Sequence, residues 1–194
     1  MNILELFSGT KSVGKCCDAL GWNSVSVDLL LPADHEVDIM EFNYKQYPKD
    51  HFDIIWASPP CTEYSSMNNC RPKKIPDIEG SNKLVKKTLE IIKYFNCEYW
   101  FIENPQTGTL KNQDFMIDLD FYDIDYCMYN HPARKRTRIW TNKKKWNNLL
   151  CDKTCGLIKD NKHPKFPYLN IKGINRQNLR YRIPEELIFS LFLD

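Results

Sequence analysis

Short apolar runs alternate with longer amphipathic stretches through the first half of this chain. "NILELF" (2–7) is apolar apart from its ends and one Glu, and it stops at "SGT". "KSVGKCCDAL" (11–20) has apolar residues at helical spacing, with Gly21 placed to end the helix. "NSVSVDLL" (23–30) predicts a second strand, and "FDIIWA" (52–57) a third, stopped by Pro59 and Pro60. The strongest helical pattern is 79–95. Leu84, Leu89, Ile91, Ile92 and Phe95 supply its apolar side, and Ser81 or Asn82 is the candidate cap. "EYWFIE" (98–103) predicts another strand, followed by the turn "NPQTG", and 121–129 with 137–142 predict a later strand pair. From about residue 143 the periodicity is lost, until "PEELIFSLF" (184–192) predicts a closing helix with Pro184 in its first turn.

Strands that alternate with helices imply an α/β fold, a mostly parallel sheet with helices on both faces. Ligands of such sheets lie beyond the carboxyl ends of the strands. "FSG", "SPPC" and "IENP" all fall at strand carboxyl ends, so three chemically unusual turns converge on one edge. Among them, Cys61 stands directly behind two prolines, a rigid mounting that a merely structural thiol does not need.

Composition narrows the class. A chain of 194 residues suits one domain with a full core. The net charge of +2 is too small to argue for a nucleic-acid partner, but its distribution is uneven. Residues 134–145 hold seven basic residues and no acidic one, whereas 114–125 is acidic. The basic run is either a solvated face or a surface that tracks phosphates. No stretch reaches the length of a membrane span, and "MNILELFSG" has no basic leader, so a soluble, intracellular protein is expected. In that setting the eight cysteines are expected to be free thiols, metal ligands or a catalytic nucleophile rather than disulfides.

Four segments stand in one order: "ELFSGTKSVG" (5–14), "SPPCTEYS" (58–65), "WFIENPQTG" (100–108) and "RKRTRIWTN" (134–142). Together they resemble the DNA cytosine-5 methyltransferase family, over residues 3 to about 142. The resemblance implies a Rossmann-like, S-adenosylmethionine-dependent methyltransferase fold. It also implies double-stranded DNA, with a cytosine flipped out of it, as partner. Carbon 5 of cytosine is a poor nucleophile, and a thiolate added at carbon 6 turns the ring into an enamine-like species that accepts a methyl group. Cys61 matches the family's nucleophile, and Glu103 the carboxyl group that supplies a proton to the ring nitrogen. Arg136 and Arg138 match the family's two arginines, with Arg138 on the base oxygen. Arg134 stands where the family usually has Gln. On the donor side the resemblance points to Phe7, Ser8, Gly9, Thr10 and Pro59, to Asp28 for the ribose hydroxyls and to Asp38 for the adenine. Lys11 and Ser12 depart from the family's usual glycines. The closing Gly-Asn-Ser-rich motif is missing from "YRIPEELIFSLF".

The expected organisation is a catalytic core at 1–142, a small irregular target-recognition segment at 143–183, and a C-terminal helix, 184–194, that completes the core. Within the middle segment, Cys151, Cys155 and His163 have the residue types of a structural zinc site. Cys127 is the first candidate for a fourth ligand and Cys70 the second; unrelated reduced thiols are the alternative. Three other functions compete with DNA methylation. They are cytosine-5 methylation of tRNA by the same chemistry, amino-group methylation at an "SPPY"-like turn, and an inactive nucleic-acid-binding relative. Cys61 in place of an aromatic residue argues against the second. The recognition segment is short enough that a protein partner is also conceivable, and cations at Lys172, Arg176, Arg180 and Arg182 would add to phosphate binding.

Overall fold

Strand β1 (Asn2–Leu6) is buried along almost its whole length because both faces of the sheet are covered. The computed structural model describes residues 1–65, 75–164 and 181–193. Within them the elements run β1, α1 (Ser12–Leu20), β2 (Asn23–Asp28), β3 (His35–Glu36), β4 (Ile54–Ala57), α2 (Ile78–Tyr94) and β5 (Tyr99–Pro105). They continue as α3 (Asp114–Ile117), β6 (Phe121–Asp125), β7 (Arg136–Thr141) and α4 (Glu185–Leu193). The strands form one sheet in the order β3-β2-β1-β4-β5-β7-β6. Neighbours from β3 through β5 are parallel, and β7 runs antiparallel to both β5 and β6.

Each face has its own core. Leu4, Leu6, Ile55 and Ile102 point to the side covered by α2, where Val85, Ile91, Ile92 and Phe95 meet them. Ile3, Trp56, Phe101 and Ile139 point to the other side, against Val13 and Cys17 of α1 and Leu187, Ile188 and Leu191 of α4. Helix α4 therefore packs with α1 on the same face of the sheet. Lys143, itself buried, donates from Nζ to the carbonyl of Leu191 at 2.9 Å, meeting one of the last acceptors of α4.

Several boundaries differ from the sequence expectation for local reasons. Helix α2 begins at Ile78, because Asp77 accepts a hydrogen bond from Gly80 N at 2.8 Å and is the cap. Ser81 is buried instead, and Asn82 links Tyr64 to Gln113. Strand β2 stops at Asp28 and not residue 30, since the Asp28 carboxylate gathers the N–H groups of Leu30 and Leu31 into a turn. Strand β6 ends at Asp125, followed by a 3-10 turn at Tyr126–Met128. β3 and α3 escaped notice because two and four residues carry no periodicity. Gly21 ends α1 in the left-handed region, as expected. No helix among the described residues is long and apolar enough to cross a membrane.

If Asp77 is the cap, Asp77→Ala should lower stability by about 1 kcal/mol in urea unfolding. Ser81→Ala should not reproduce that loss through the cap.

Candidate active site

β1 connects to β2 on one side, while β4 lies on the other, so the crevice at their carboxyl ends is a topological switch point. A cavity of about 550 Å³ opens there. Phe7, Ser8, Gly9, Asp28, Asp38 and Pro59 line it together with Cys61, Glu103 and Lys135.

The loop after β1 is bent hard. Phe7, Gly9 and Lys11 all have positive φ, between 52° and 55°. The bend is held from three sides. Ser8 N donates to Val27 O (3.1 Å), Lys11 N to Ser8 O (2.7 Å) and Gly9 N to Asp28 Oδ2 (2.8 Å). The remaining Asp28 oxygen takes the N–H groups of Leu30 and Leu31, so one carboxylate ties two loops together. Helix α1 has no side-chain cap of its own. Glu5, projecting from β1 and only 2% exposed, accepts from Val13 N (3.2 Å) and Gly14 N (3.0 Å) instead. Burial lifts its carboxyl to about 7, against the pull of those two N–H groups. Glu5 was not among the residues expected from sequence, because a lone acid in an apolar run reads as a strand edge. Ser8 Oγ is buried with no hydrogen-bond partner among the described residues, beside the cavity. Thr10 does not line the cavity; its hydroxyl meets Ser12 Oγ at 3.1 Å. Asp38 lines it and accepts from Met40 N at 2.9 Å.

The turns after β4 and β5 are fastened to one another. Asn104 Nδ2 donates to Pro59 O (2.9 Å), and Thr109 N donates to Tyr64 O (2.9 Å). Gly108 fits where a Cβ would come within 3.2 Å of Pro105 O and 3.3 Å of Tyr64 O, which explains the absence of a side chain there. Cys61 and Glu103 therefore share a mounting. Burial pushes the Cys61 thiol up; Glu103 adds to this, and Lys135 opposes it. Glu103, 6% exposed, accepts on Oε1 from Tyr126 OH (2.9 Å) and Lys135 Nζ (3.0 Å). Neither partner was expected from sequence. Lys135 was counted only within a basic run, and Tyr126 reaches the site solely because β6 ends one residue before it.

The two arginines lie elsewhere. Arg136 is exposed at the start of β7. Arg138 pairs in bidentate fashion with Asp123 (2.7 and 2.8 Å), its guanidinium 3.5 Å from the Phe121 ring centre. Neither lines the cavity. The basic run is partly matched by the acidic one, Arg134 to Asp125, Arg138 to Asp123 and Lys144 to Asp120, while Lys135 pairs with Glu103 of β5. The antiparallel β6–β7 register brings the two charge runs together, so most of the block is not a free phosphate-tracking face. Arg182 pairs with Glu185. Lys172, Arg176, Arg180 and Cys70 lie outside the described residues.

A second constellation sits behind β6. Ligand atoms of Cys127, Cys151, Cys155 and His163 all lie within 4.8 Å of one another, a group that could hold a metal ion. A tight reversal creates it. Asp160 and Asn161 both have positive φ, and Lys159 and Lys162 exchange backbone hydrogen bonds, which returns His163 to the cysteines.

Comparison with known proteins bears on the family and the fold. The family model for C-5 cytosine-specific DNA methylase matches residues 30–115. The "Probable DNA (cytosine-5)-methyltransferase" of Frog virus 3 (isolate Goorha) is 34% identical, over 98% of this chain and 98% of that protein. Among solved structures, S. pombe Dnmt2 methyltransferase aligns with a TM-score of 0.51 at 16% identity, over 75% of this chain and 51% of that one. Entamoeba histolytica methyltransferase EhMeth aligns with a TM-score of 0.52 at 16% identity, over 78% and 55%. The fold is thus shared with these methyltransferases, and the chain spans about half the length of each.

The raised Glu5 carboxyl has a measurable consequence. The folded chain holds that proton to higher pH than the unfolded chain does. Its stabilisation is therefore complete below pH about 4.5 and lost as pH rises through about 7. Gln mimics the protonated acid. Hence the stability of the wild type relative to Glu5→Gln should fall, by on the order of 1–3 kcal/mol, between pH 5 and pH 7.5 in urea unfolding.

Proposed function

Because the chain belongs to the C-5 cytosine-specific DNA methylase family, we propose that it transfers a methyl group from S-adenosylmethionine to carbon 5 of cytosine in DNA, through a covalent bond to Cys61. The observation that carries this reading is the cavity that joins the β1–α1 loop and Asp28 to Cys61 and Glu103.

The donor end of the cavity fits S-adenosylmethionine. The Ser8 hydroxyl, without a partner among the described residues, suits the polar methionine part, and the backbone at Phe7, Gly9 and Pro59 lets it approach closely. Asp28 uses three N–H groups, which leaves a lone pair of its two oxygens for a ribose hydroxyl. Leu30, 85% exposed beside the cavity, and Leu29 offer apolar cover for a flat base, with Asp38 at its edge. Bound there, the donor supplies an electrophilic methyl group on a sulfonium.

At the other end, the Cys61 thiol loses its proton and sulfur bonds to carbon 6 of the cytosine. The ring nitrogen gains a proton from the Glu103 carboxyl group, and electron density moves to carbon 5. Carbon 5 takes the methyl group as the donor's sulfonium–carbon bond breaks to leave a thioether, and then gives up its own hydrogen as a proton to water. The bond from carbon 6 to the Cys61 sulfur breaks, which restores the ring double bond and releases Cys61 as a thiolate that regains a proton from water, and the ring nitrogen returns its proton to Glu103. Tyr126 and Lys135 both occupy Oε1 of Glu103, so Oε2 is the oxygen turned to the base. Lys135 also lines the cavity. For Arg138 to reach the base oxygen it must leave Asp123.

A cytosine in a duplex must first leave the stack, at a cost of a few kcal/mol. The segment at 143–183 is read as the recognition element, and its size suits a short target. The Cys127, Cys151, Cys155 and His163 group is read as its zinc site. The three sulfurs lie 3.6, 3.4 and 3.3 Å from His163 Nε2. A tetrahedral ion with Zn–S of about 2.3 Å and Zn–N of about 2.0–2.1 Å would place S and N roughly 3.5 Å apart.

Purified protein with tritiated donor should label duplex DNA, and DNA containing 5-fluorocytosine should form an adduct that survives denaturing gels. Cys61→Ala should abolish both, and Glu103→Gln should slow methylation about a hundredfold or more. Label in tRNA with none in DNA would move the substrate to RNA; methylation without any adduct would remove the covalent step.

Asp28→Ala should weaken donor binding by about 1–3 kcal/mol in calorimetry, since hydrogen bonds to a carboxylate are lost. Undiminished affinity would mean that Asp28 serves only to fold the loop.

A further inference from the structure

We propose that the metal group at Cys127, Cys151, Cys155 and His163 is the positioning device for the catalytic carboxyl group, fastening the two side chains that hold Glu103. This rests on the zinc and methyltransferase readings above.

Glu103 is steadied by Tyr126 and Lys135, and each is the immediate neighbour in sequence of a residue tied to the cluster. Tyr126 precedes Cys127 in the same 3-10 turn. Lys135 follows Arg134, whose guanidinium forms two 3.0 Å bonds to Asp125. Asp125 Oδ2 also accepts from Cys151 N at 2.9 Å, and Asp125 N donates to Leu149 O at 3.1 Å. One buried aspartate thus joins the end of β6 next to Tyr126, the arginine beside Lys135 and a cluster cysteine. Tyr126 N also donates to Lys135 O at 3.0 Å, and Lys135 Nζ lies 4.7 Å from the Tyr126 ring centre. The two supports of Glu103 are therefore coupled to one another as well as to the cluster.

The segment that supplies the other ligands is tied to the sheet near its start, through Asn148, Leu149 and Cys151, and among the described residues its hydrogen bonds from Asp152 to His163 are local or within the cluster. Between Asn147 and His163, the only ladder contact among the described residues is the Lys159–Lys162 bridge. Lys153 N donates to Cys151 Sγ at 3.4 Å, a bond that suits a sulfur carrying negative charge, as a metal-bound thiolate does. Without an ion, three sulfurs and an imidazole packed this closely have no common partner to draw them together. The cluster would relax, Asp125 and the 126–128 turn would loosen with it, and Glu103 would lose its fixed donors. Residues that orient a first layer of groups commonly change activity tenfold to a hundredfold when altered.

The test uses full-length protein purified without added metal. Elemental analysis should find about one equivalent of zinc in the wild type and in His163→Cys, which keeps a ligand, and well under a tenth in His163→Ala. Donor calorimetry should show the same affinity in all three, which establishes that the core is folded. With DNA and tritiated donor, His163→Ala should lose tenfold or more in kcat with the donor KM unchanged, and His163→Cys should restore it. Tyr126→Phe should keep its zinc and show a similar kcat loss. As a readout independent of turnover, the rate of Cys61 alkylation by iodoacetamide, followed by peptide mass spectrometry, should change severalfold in His163→Ala and Tyr126→Phe alike. No zinc in the wild type would overturn the metal reading. Zinc that is lost in His163→Ala without change in kcat or in Cys61 alkylation would overturn the positioning role alone. An inactive wild type would overturn the methyltransferase reading and leave alkylation to decide the coupling.

Discussion

The carboxyl group of Glu103 is buried at the carboxyl end of a central strand, and buried polar oxygens must be met by donors. Much of the surrounding structure supplies them. β6 ends at Asp125 so that Tyr126 can turn inward, and β7 begins late enough that Lys135 precedes it and reaches the same oxygen. The neighbouring Asn104 fastens the turn that carries Cys61. Cys61 and Glu103 are thus held by one hydrogen-bonded network in place of two separate loops.

The same economy governs charge on the β6–β7 side. The acidic and basic runs answer one another across an antiparallel ladder, and Asp125 serves a salt bridge and a cysteine N–H together. Such pairs, half-buried and bidentate, give geometry more than stability, because desolvation offsets much of their attraction. Their value here is orientation beside Glu103. On the donor side Asp28 plays a comparable part, holding two loops whose backbone strain at Phe7 and Lys11 would otherwise be released.

The sequence by itself determined β1, β2, β4 and β5 of the sheet's parallel portion, helices α1, α2 and α4, and the placement of "FSG", "SPPC" and "IENP" at one edge. Those follow from periodicity and from prolines and glycines whose effects are local. It also supplied the family resemblance and offered Cys61 as a candidate nucleophile and Cys127, Cys151, Cys155 and His163 as a candidate metal group. What only the tertiary structure decided is which side chains meet. Lys135 and not Arg138 lines the cavity, because Lys135 precedes β7 and pairs with Glu103, while Asp123 of β6 holds Arg138. Tyr126 reaches Glu103 from 23 residues away, Glu5 caps a helix from the strand below it, and His163 meets Cys127 across 36 residues. No short-range pattern encodes such encounters. They are fixed by sheet register and by the need of buried polar groups for partners, and both are properties of the folded chain.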